Sequence, residues 1–383
     1  MGVTLIPDMF STCKSAHGCG HVVRTASQGT RTMSTDYITS PMKNSDISIK
    51  TNTYNDRINL KTDKSGALRA NGVFLQDNTG QKSFVKARKE VIISAGTYGS
   101  LGILLRSGIR SKQEVEKLGI QSQVDPPGVG KNLMDHLVVL SFYEVSTPAL
   151  TNDHLIWHTK GKSKSLTEYQ TDKPGFFSQF PFGTFAFARL DSRLSDSPLW
   201  NSAPRTKDLD QMSLSPTQPR VEFWNTECYS PNYMFRNFPP DGNFKSSDPT
   251  ENPVVNHRYL EDPFDMLVFS EGCCMATEIA MKGAGTKDIW VLVIRSNADA
   301  CYHPAGTCKM GHPNDPFAVL DSKLKVRGIT DLRVADASVT PSLIGGHPQM
   351  AVYGIAEKAA DLIIFEIGCV ILRVEKGSVS PYI

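Results

Sequence analysis

Glu90-Val91-Ile92-Ile93-Ser94-Ala95-Gly96 is the stretch that decides how the chain folds. Its short, continuous β-branched run ends in small residues, which predicts a strand buried on both faces and followed by a close turn. A helix is predicted next, from about Gly99 to Arg106, because the chain then meets the helix-stopping pair Ser107-Gly108. The sequence therefore predicts a strand, a turn and a helix in direct succession.

Short strands and turns are predicted on the N-terminal side of this unit. The run from Asp46 to Ile93 has a strand-like pattern that is interrupted by two turn clusters, Asp63-Lys64-Ser65-Gly66 and Asp77-Asn78-Thr79-Gly80. On the C-terminal side, Ser111-Lys112-Gln113-Glu114 has the spacing of a capping box and predicts a second short helix. The sequence Asp125-Pro126-Pro127-Gly128 then breaks the pattern, and we place a domain boundary near it.

The region beyond residue 330 has the most regular pattern in the sequence. Leu332–Asp336 predicts a short strand, and apolar residues between Ala351 and Ile363 recur at helical spacing. Proline is favoured at the first position of a helix, so Pro348 predicts a helix start with His347 as its N-cap.

Composition limits the class of protein. The 383 residues include 41 Lys and Arg against 39 Asp and Glu, which gives a net charge of +2, and 40% are hydrophobic. These values exclude a disordered chain, and the positive charge forms no basic block that would indicate nucleic acid as a partner. The apolar runs are far shorter than the roughly 20 residues that a transmembrane helix needs. Length predicts about two domains at roughly 150 residues each.

Cysteine content and the absence of nucleotide-binding and hydrolase motifs exclude further classes of protein. Eight cysteines are too few for a disulfide scaffold of this length. The only G-x-G-like run, Gly18-Cys19-Gly20-His21, has no third glycine, so it does not predict a dinucleotide site. The sequence also contains no P-loop, no G-x-S-x-G elbow and no H-E-x-x-H motif.

Two histidines are candidate catalytic residues. His303 lies in the segment Cys301–Gly311, and His347 stands at the predicted start of the last helix. A helix N-terminus favours negative charge and disfavours imidazolium, so a histidine beside it is expected to be neutral. A neutral imidazole next to such a helix end suits proton abstraction from an alcohol. A single histidine is more often structural, and the functional interpretation depends on the second histidine and its helix.

A zinc-binding module is an alternative that the same residues leave open. Two clusters contain zinc-type ligands, namely Cys301, His303, Cys308 and His312 in one and Cys13, His17, Cys19 and His21 in the other. Neither cluster has the C-x2-C spacing of a zinc finger, so the indication is weak.

Several long segments resemble the glucose–methanol–choline (GMC) oxidoreductase family. They occur in family order over almost the whole chain, at Glu90–Ala95, Gly108–Gly119, Pro127–His136, Tyr302–Gly311 and Val319–Leu362. The resemblance implies an α/β fold, mixed with α+β features, in which an FAD-binding domain of GMC type is joined to an antiparallel-sheet substrate-binding domain. Residues 1–130 would then be middle segments of the FAD-binding domain, residues 131–296 the substrate-binding domain, and residues 297–383 the return to the FAD-binding domain.

The same resemblance implies a flavoprotein enzyme that oxidises the CH–OH group of a small-molecule alcohol by hydride transfer to FAD. His303 matches the family's catalytic base, and His347 matches the partner that hydrogen-bonds the substrate oxygen. Asp336 and Ala337 match the segment that contacts the ribityl–pyrophosphate part of FAD. The turn His347-Pro348-Gln349 matches the one that meets the isoalloxazine ring.

The chain also departs from the family pattern. It begins downstream of the strand and the G-x-G-x-x-G turn that hold the ADP half of FAD, which implies an N-terminally truncated member without the first βαβ unit. Asn55 stands where a valine usually contributes backbone contacts to the adenine. We therefore expect weak or no FAD binding by this chain alone. The alternative is a non-catalytic remnant that acts as a binding or partner-interaction protein, and exposed surface left by the missing part would favour self-association.

Overall fold

The computed structural model describes residues 4–7, 17–21, 23–39, 47–141, 151–156, 160–173, 175–179, 182–212, 214–226, 248–250, 257–284 and 298–366. Its strands are β1 Gly18–His21, β2 Ala26–Ser27, β3 Thr30–Arg31, β4 Thr53–Thr62, β5 Leu68–Asp77, β6 Lys82–Lys86, β7 Val91–Ile93, β8 Leu137–Val139, β9 Phe182–Ala188, β10 Val221–Thr226, β11 Ala298–Ala300 and β12 Leu332–Val334. Its α-helices are α1 Asp36–Thr39, α2 Gly96–Arg106, α3 Lys112–Glu116, α4 Asp153–Ile156, α5 Gly161–Asp172, α6 Phe176–Gln179, α7 Asp191–Leu194, α8 Pro198–Ser202, α9 Pro263–Ala284 and α10 Gln349–Glu366. A 3-10 helix spans Ala337–Val339.

The chain divides into two compact units. The first comprises residues 1–49, 137–238 and 258–301, and the second comprises residues 50–136, 239–257 and 302–383. The mixture of helices with antiparallel sheets agrees with the predicted fold class. The assignment of parts of the chain to a flavin domain and a substrate domain stays a prediction. Within the described ranges, no helix combines the length and apolar character needed to cross a membrane.

The first unit contains an antiparallel sheet with the strand order β1-β9-β10. Gly18-Cys19-Gly20-His21 is strand β1 and pairs with β9, so this glycine-containing run lies within a sheet. Phe185 and Phe187 on β9 are buried and pack against Ile6 and Trp224. The aromatic side chains at these two positions therefore form part of the core of this unit.

The second unit contains an antiparallel meander of β4, β5 and β6. The two turns of the meander are the clusters predicted from the sequence. In the first, the Asp63 carboxylate accepts the backbone N–H of Ser65 at 2.8 Å, and in the second the Asp77 carboxylate accepts that of Thr79 at 2.9 Å. These side-chain bonds replace part of the backbone pairing that a turn gives up, and both predicted turns are confirmed.

The strand–turn–helix unit forms as predicted, with two differences. Strand β7 pairs in parallel with β12, and α2 begins at Gly96, three residues before the predicted start. Burial of β7 on both faces is wrong, because the side chain of Ile92 is 45% exposed while Val91 and Ile93 are buried. Successive side chains of a strand point to opposite faces, so β7 turns one face to the core and the other to solvent.

The predicted capping box at α3 does not form. The Ser111 side chain makes no capping hydrogen bond. The Glu114 carboxylate accepts instead from the Arg110 guanidinium at 2.7 Å and from the Lys131 ammonium at 2.7 Å. A charge-assisted bond to a cation is stronger than a bond to a neutral backbone N–H, so the local ion pairs determine where this side chain lies.

A buried arginine on β12 joins this strand to Glu90, just before β7, and to the end of α10. Arg333 has 1% of its side chain exposed, and its Nε donates to the Glu90 carboxylate at 2.7 Å. The same guanidinium also bonds the carboxylate of Glu366, the last residue of α10. These ion pairs attach the final helix to the strand that leads into the site described next.

Candidate active site

Three histidines from separate segments of the second unit meet at one place. The Nδ1 atom of His303 lies 3.0 Å from the Nδ1 atom of His136, and the two rings stand nearly perpendicular, at 84°. The ring of His347 lies on another side of His303, with 4.9 Å between ring centroids and an angle of 67°. The two sequence-predicted catalytic histidines are thus adjacent, and a third histidine accompanies them.

The backbone around His303 is held by hydrogen bonds from two segments. Met134 and Ala305 exchange a pair of backbone hydrogen bonds of 3.0 and 2.8 Å. The Asp135 carboxylate accepts the backbone N–H of His303 at 2.8 Å, and the Thr97 hydroxyl donates to the carbonyl of Pro304 at 2.7 Å. Each residue from 303 to 305 therefore has at least one fixed contact, which keeps the imidazole in place.

Gly306 closes this loop at a point where a side chain cannot fit. Its φ is +83°, and a Cβ atom there would lie 2.5 Å from the carbonyl oxygen of Asn132. Both the backbone angle and the space require glycine. This close approach of Gly306 to Asn132 lies directly beside the paired hydrogen bonds between Ala305 and Met134.

The site keeps His303 uncharged at neutral pH. Burial, together with the electrostatic influence of the neighbouring His136 and His347, lowers the pKa of His303 to about 4. Removing an imidazolium from water into a partly buried place costs free energy, and like charges nearby add to that cost. A neutral imidazole at neutral pH is able to accept a proton, which is the state that a general base requires.

Asp336 and Ala337 anchor the backbone next to the histidine loop. The buried Asp336 carboxylate accepts from the backbone N–H of Gly96 at 3.0 Å, from the Ser100 hydroxyl and from the backbone N–H of Ser338 at 2.8 Å. The carbonyl of Ala337 accepts the N–H of Gly306 at 3.2 Å. This carboxylate already accepts three hydrogen bonds, so a cofactor would meet the backbone of Asp336 and not its side chain. Contact of Asp336 with a cofactor stays a prediction.

The last helix begins one residue later than the sequence predicted. The carbonyl of Pro348 accepts the N–H of Val352 at 2.9 Å, so Pro348 occupies the N-cap position and Gln349 is the first helical residue. The predicted N-cap, His347, lies one residue before it. Proline has no N–H to lose at either position, so the same residue can stand at the cap or in the first turn.

The geometry does not support the zinc alternative. Among the described residues, no three His, Cys, Asp or Glu side chains are grouped so that they could hold a metal ion. Burial raises the pKa of the Cys308 thiol to about 12, which favours the thiol over the thiolate that zinc binds. His312 accepts the backbone N–H of Asn314 at 3.2 Å within its own turn. Cys13, a member of the second cluster, lies outside the described residues.

Sequence reasoning missed Asp135 and His136 as members of this site. Both stand in the segment Pro127–His136, which was considered for its resemblance and not for its chemistry. The signal was the presence of two adjacent polar, ionisable side chains directly after the apolar pair Leu133-Met134. A second pair was also missed, because the Tyr98 hydroxyl lies 2.6 Å from Nε2 of His257.

A polar cavity of about 520 Å³ also lies in the second unit, and none of the predicted site residues line it. Its charged lining residues are Arg57, Lys82, Arg106, Asp56 and Asp248, and Asp56 forms ion pairs with Arg57 at 2.6 Å and Arg106 at 3.8 Å. Most of these charges pair with one another, so the cavity has only a small excess of positive charge.

Two models of one family, described as GMC oxidoreductase, match the chain over residues 1–138 and 243–356. Among curated proteins, the glucose methanol choline oxidoreductase atC of Aspergillus terreus is 30% identical over 77% of this chain and 52% of its own length. The oxygen-dependent choline dehydrogenase of Vibrio vulnificus is 31% identical over 73% of this chain and 51% of its own length. The chain spans about half the length of these relatives.

Solved structures share the fold. A formate oxidase matches with a TM-score of 0.84 at 24% identity, over 96% of this chain and 68% of that one. An FAD-dependent oxidoreductase from Chaetomium thermophilum matches with a TM-score of 0.78 at 21% identity, over 96% of this chain and 71% of that one. At these identities the likeness concerns the arrangement of the backbone.

Proposed function

Because the chain belongs to the GMC oxidoreductase family, we propose that it contributes the proton-abstracting site of an FAD-dependent oxidoreductase that acts on the CH–OH group of an alcohol. The observation that carries the proposal is the half-buried, neutral His303 held between His136 and His347. Oxidation of an alcohol removes a hydroxyl proton and a hydride, so the reaction needs a base that is unprotonated before the substrate arrives.

In this proposal the residues of the second unit divide the work on the alcohol. His303 takes the hydroxyl proton, and His347 hydrogen-bonds the oxygen from which the proton leaves. α10 begins at Gln349, two residues after His347, and the positive end of its dipole stabilises the negative charge that develops on that oxygen. FAD, when bound, would supply the acceptor for the hydride that leaves the carbon.

The residues present fit both ends of FAD in part. His347-Pro348-Gln349 would meet the isoalloxazine ring at the start of α10, and the backbone of Asp336 and Ala337 would face the ribityl–pyrophosphate part. Asn55 has a buried Oδ1 atom without a hydrogen-bond partner among the described residues, an acceptor that the amino group of adenine would satisfy. The backbone oxygen of Asn55 is already bonded to Arg106 at 3.1 Å. That bond uses one of the two lone pairs of this oxygen, so a contact with adenine would have to use the other.

The test is the rate of flavin reduction by an alcohol in the chain loaded with excess FAD. Replacing His303 by alanine is expected to lower that rate by about 100-fold or more, with little change in the concentration of alcohol needed for half-saturation. The matched control is His312→Ala, which removes an exposed histidine in a turn outside the site and should leave the rate unchanged. An unchanged rate in His303→Ala would contradict the proposal.

The pH dependence of the same rate provides a second test. Since the pKa of His303 lies at about 4, the rate should stay high down to about pH 5 and fall below it. A fall that begins near pH 6.5, the ordinary range of histidine, would show that His303 is solvated in the loaded chain or is not the base.

A second candidate function is a non-catalytic protein that interacts with a second copy of this chain. The exposed Ile92 on the solvent face of β7 favours it, because apolar side chains on an uncovered sheet face promote association. Sedimentation analysis of the wild-type chain and of Ile92→Lys would test it. Loss of dimers in the variant supports association through this face, whereas a wild-type monomer at all concentrations excludes it.

A further inference from the structure

The contact between His136 and His303 has not yet been given a chemical role in the proposed reaction. Two nitrogen atoms 3.0 Å apart are within hydrogen-bonding distance, and a bond between two Nδ1 atoms needs one proton between them. If both nitrogens carried a proton or neither did, the contact would be repulsive. The pair therefore has two allowed arrangements, which differ in which imidazole donates.

The two arrangements have opposite consequences for His303. If His136 donates, Nδ1 of His303 is the acceptor and Nε2 carries the ring proton, so neither nitrogen can take a proton from an alcohol. If His303 donates from Nδ1, its Nε2 has a free lone pair. The partner of one ring nitrogen thus decides the chemistry of the other, as it does where a carboxylate orients a catalytic histidine.

We propose that His136 is a positioning residue that accepts the Nδ1 proton of His303 through its own Nδ1 and so leaves Nε2 of His303 as the base. This inference rests on the proposed function, because it assigns the proton-accepting atom of that same site. His136 itself then carries its ring proton on Nε2. No atom of His136 needs to touch the alcohol.

The backbone supports this arrangement. Asp135 accepts the backbone N–H of His303 at 2.8 Å, so two adjacent residues hold the main chain and the ring of one histidine. The paired hydrogen bonds between Met134 and Ala305 set the register of the two segments. A one-residue slip would separate both contacts together, so the pairing specifies the site as well as the fold.

The charged and titratable groups around His303 are consistent with a neutral donor. His347 and His136 both disfavour a positive charge on His303, and the Asp135 carboxylate accepts a hydrogen bond from the backbone N–H of His303. When His303 takes the alcohol proton, it becomes a cation that donates at both nitrogens. The Nδ1–H of this cation is still donated to Nδ1 of His136, so the contact between the two rings is kept when the proton is taken.

The test is the tautomer of His303 in the purified chain labelled with 15N-histidine, without FAD or alcohol. Protonated and unprotonated ring nitrogens have well separated 15N shifts, and the His303 signals are identified by their loss in His303→Gln. We expect Nδ1 to be protonated and Nε2 unprotonated at neutral pH. The opposite tautomer in the wild-type chain would overturn the proposal without any variant.

Two substitutions of His136 separate positioning from packing. Asparagine keeps a hydrogen-bonding atom near the place of Nδ1, whereas phenylalanine keeps a ring without an acceptor. We expect His136→Asn to keep the Nδ1-protonated tautomer of His303 and His136→Phe to give a mixture of both. An unchanged tautomer in His136→Phe would refute the role of His136.

Flavin reduction in the FAD-loaded chain tests the consequence for rate. His136→Phe should lower the rate constant about tenfold with little change in half-saturation, and His136→Asn should recover most of the loss. His312→Asn serves as the control. If the tautomer is as expected and no alcohol reduces the flavin, the proposed function fails while the positioning of His303 stands. If the flavin is reduced and His136→Phe reacts at the wild-type rate, the positioning role fails.

Discussion

Replacing Asp336 by alanine should remove much of the stability of the second unit. The Asp336 carboxylate is 7% exposed and accepts three hydrogen bonds, from the N–H of Gly96, the hydroxyl of Ser100 and the N–H of Ser338. These donors belong to the start of α2 and to the 3-10 helix after β12. One side chain therefore joins the turns that follow the two parallel strands.

The size of the effect follows from these contacts. A hydrogen bond to a charged group contributes about 1.5–3 kcal/mol, and a buried donor left without an acceptor costs about 1–3 kcal/mol. The neighbouring residues can relax and water can enter the space that the side chain leaves, and both effects reduce the loss. We therefore expect Asp336→Ala to lower the free energy of unfolding by about 4 kcal/mol. Asp336→Asn keeps one oxygen and turns an amide N–H₂ towards a former donor, so it should lose about 2–3 kcal/mol.

Urea unfolding followed by hydrogen exchange and mass spectrometry would measure this loss where it arises. Peptides covering residues 91–106 report the second unit, whereas the fluorescence of Trp200 and Trp224 reports the first. Asp63→Ala is the matched control, since its carboxylate also accepts three hydrogen bonds but in an exposed turn, and it should change stability far less. A loss below about 1 kcal/mol in Asp336→Ala, or unchanged protection of residues 91–106, would refute the reasoning.

Two further predictions concern polar contacts in the second unit. Arg333→Met should lower the free energy of unfolding by about 3–5 kcal/mol, measured in urea, because it leaves the Glu90 carboxylate partly buried without its cation. Adding Glu90→Gln to this variant should restore part of the loss. Full additivity of the two changes would contradict the pairing. Burial raises the pKa of Tyr98 to about 12, so its phenol stays protonated and can donate to Nε2 of His257, and Tyr98→Phe should cost about 1 kcal/mol in thermal or urea unfolding. Tyr54→Phe, at a position that is 43% exposed, is the control, and equal effects of the two changes would count against the bond.

Local patterns in the sequence were sufficient for the elements that carry their own signals. The β-branched run before Gly96 predicted β7, and the apolar spacing between Ala351 and Ile363 predicted α10. The turn clusters at Asp63 and Asp77 were predicted because a short carboxylate bonds the backbone two residues on. Each of these features depends on contacts within a few residues, which a single sequence displays.

Features that depend on distant segments were not predictable in the same way. The exposed face of β7 at Ile92 depends on what the rest of the fold places against it, and a continuous apolar run carries no such information. Glu114 bonds Lys131 across a loop, so the capping-box spacing was not enough to fix its partner. His136 meets His303 only after the pairing of Met134 with Ala305, a contact without any local pattern.

The pairing of residues 134–136 with residues 303–305 also sets the order of events during synthesis. His136 and His303 are 167 positions apart in the chain. At roughly 5–20 residues per second, a ribosome needs about 8–33 s to make the residues between them. During that interval the segment with Asp135 and His136 lacks the residues that it contacts in the folded chain, and closing so long a loop has an entropic cost that only the completed contacts offset. Nascent chains are therefore expected to be most dependent on chaperones after residue 136 emerges and before residue 305 does.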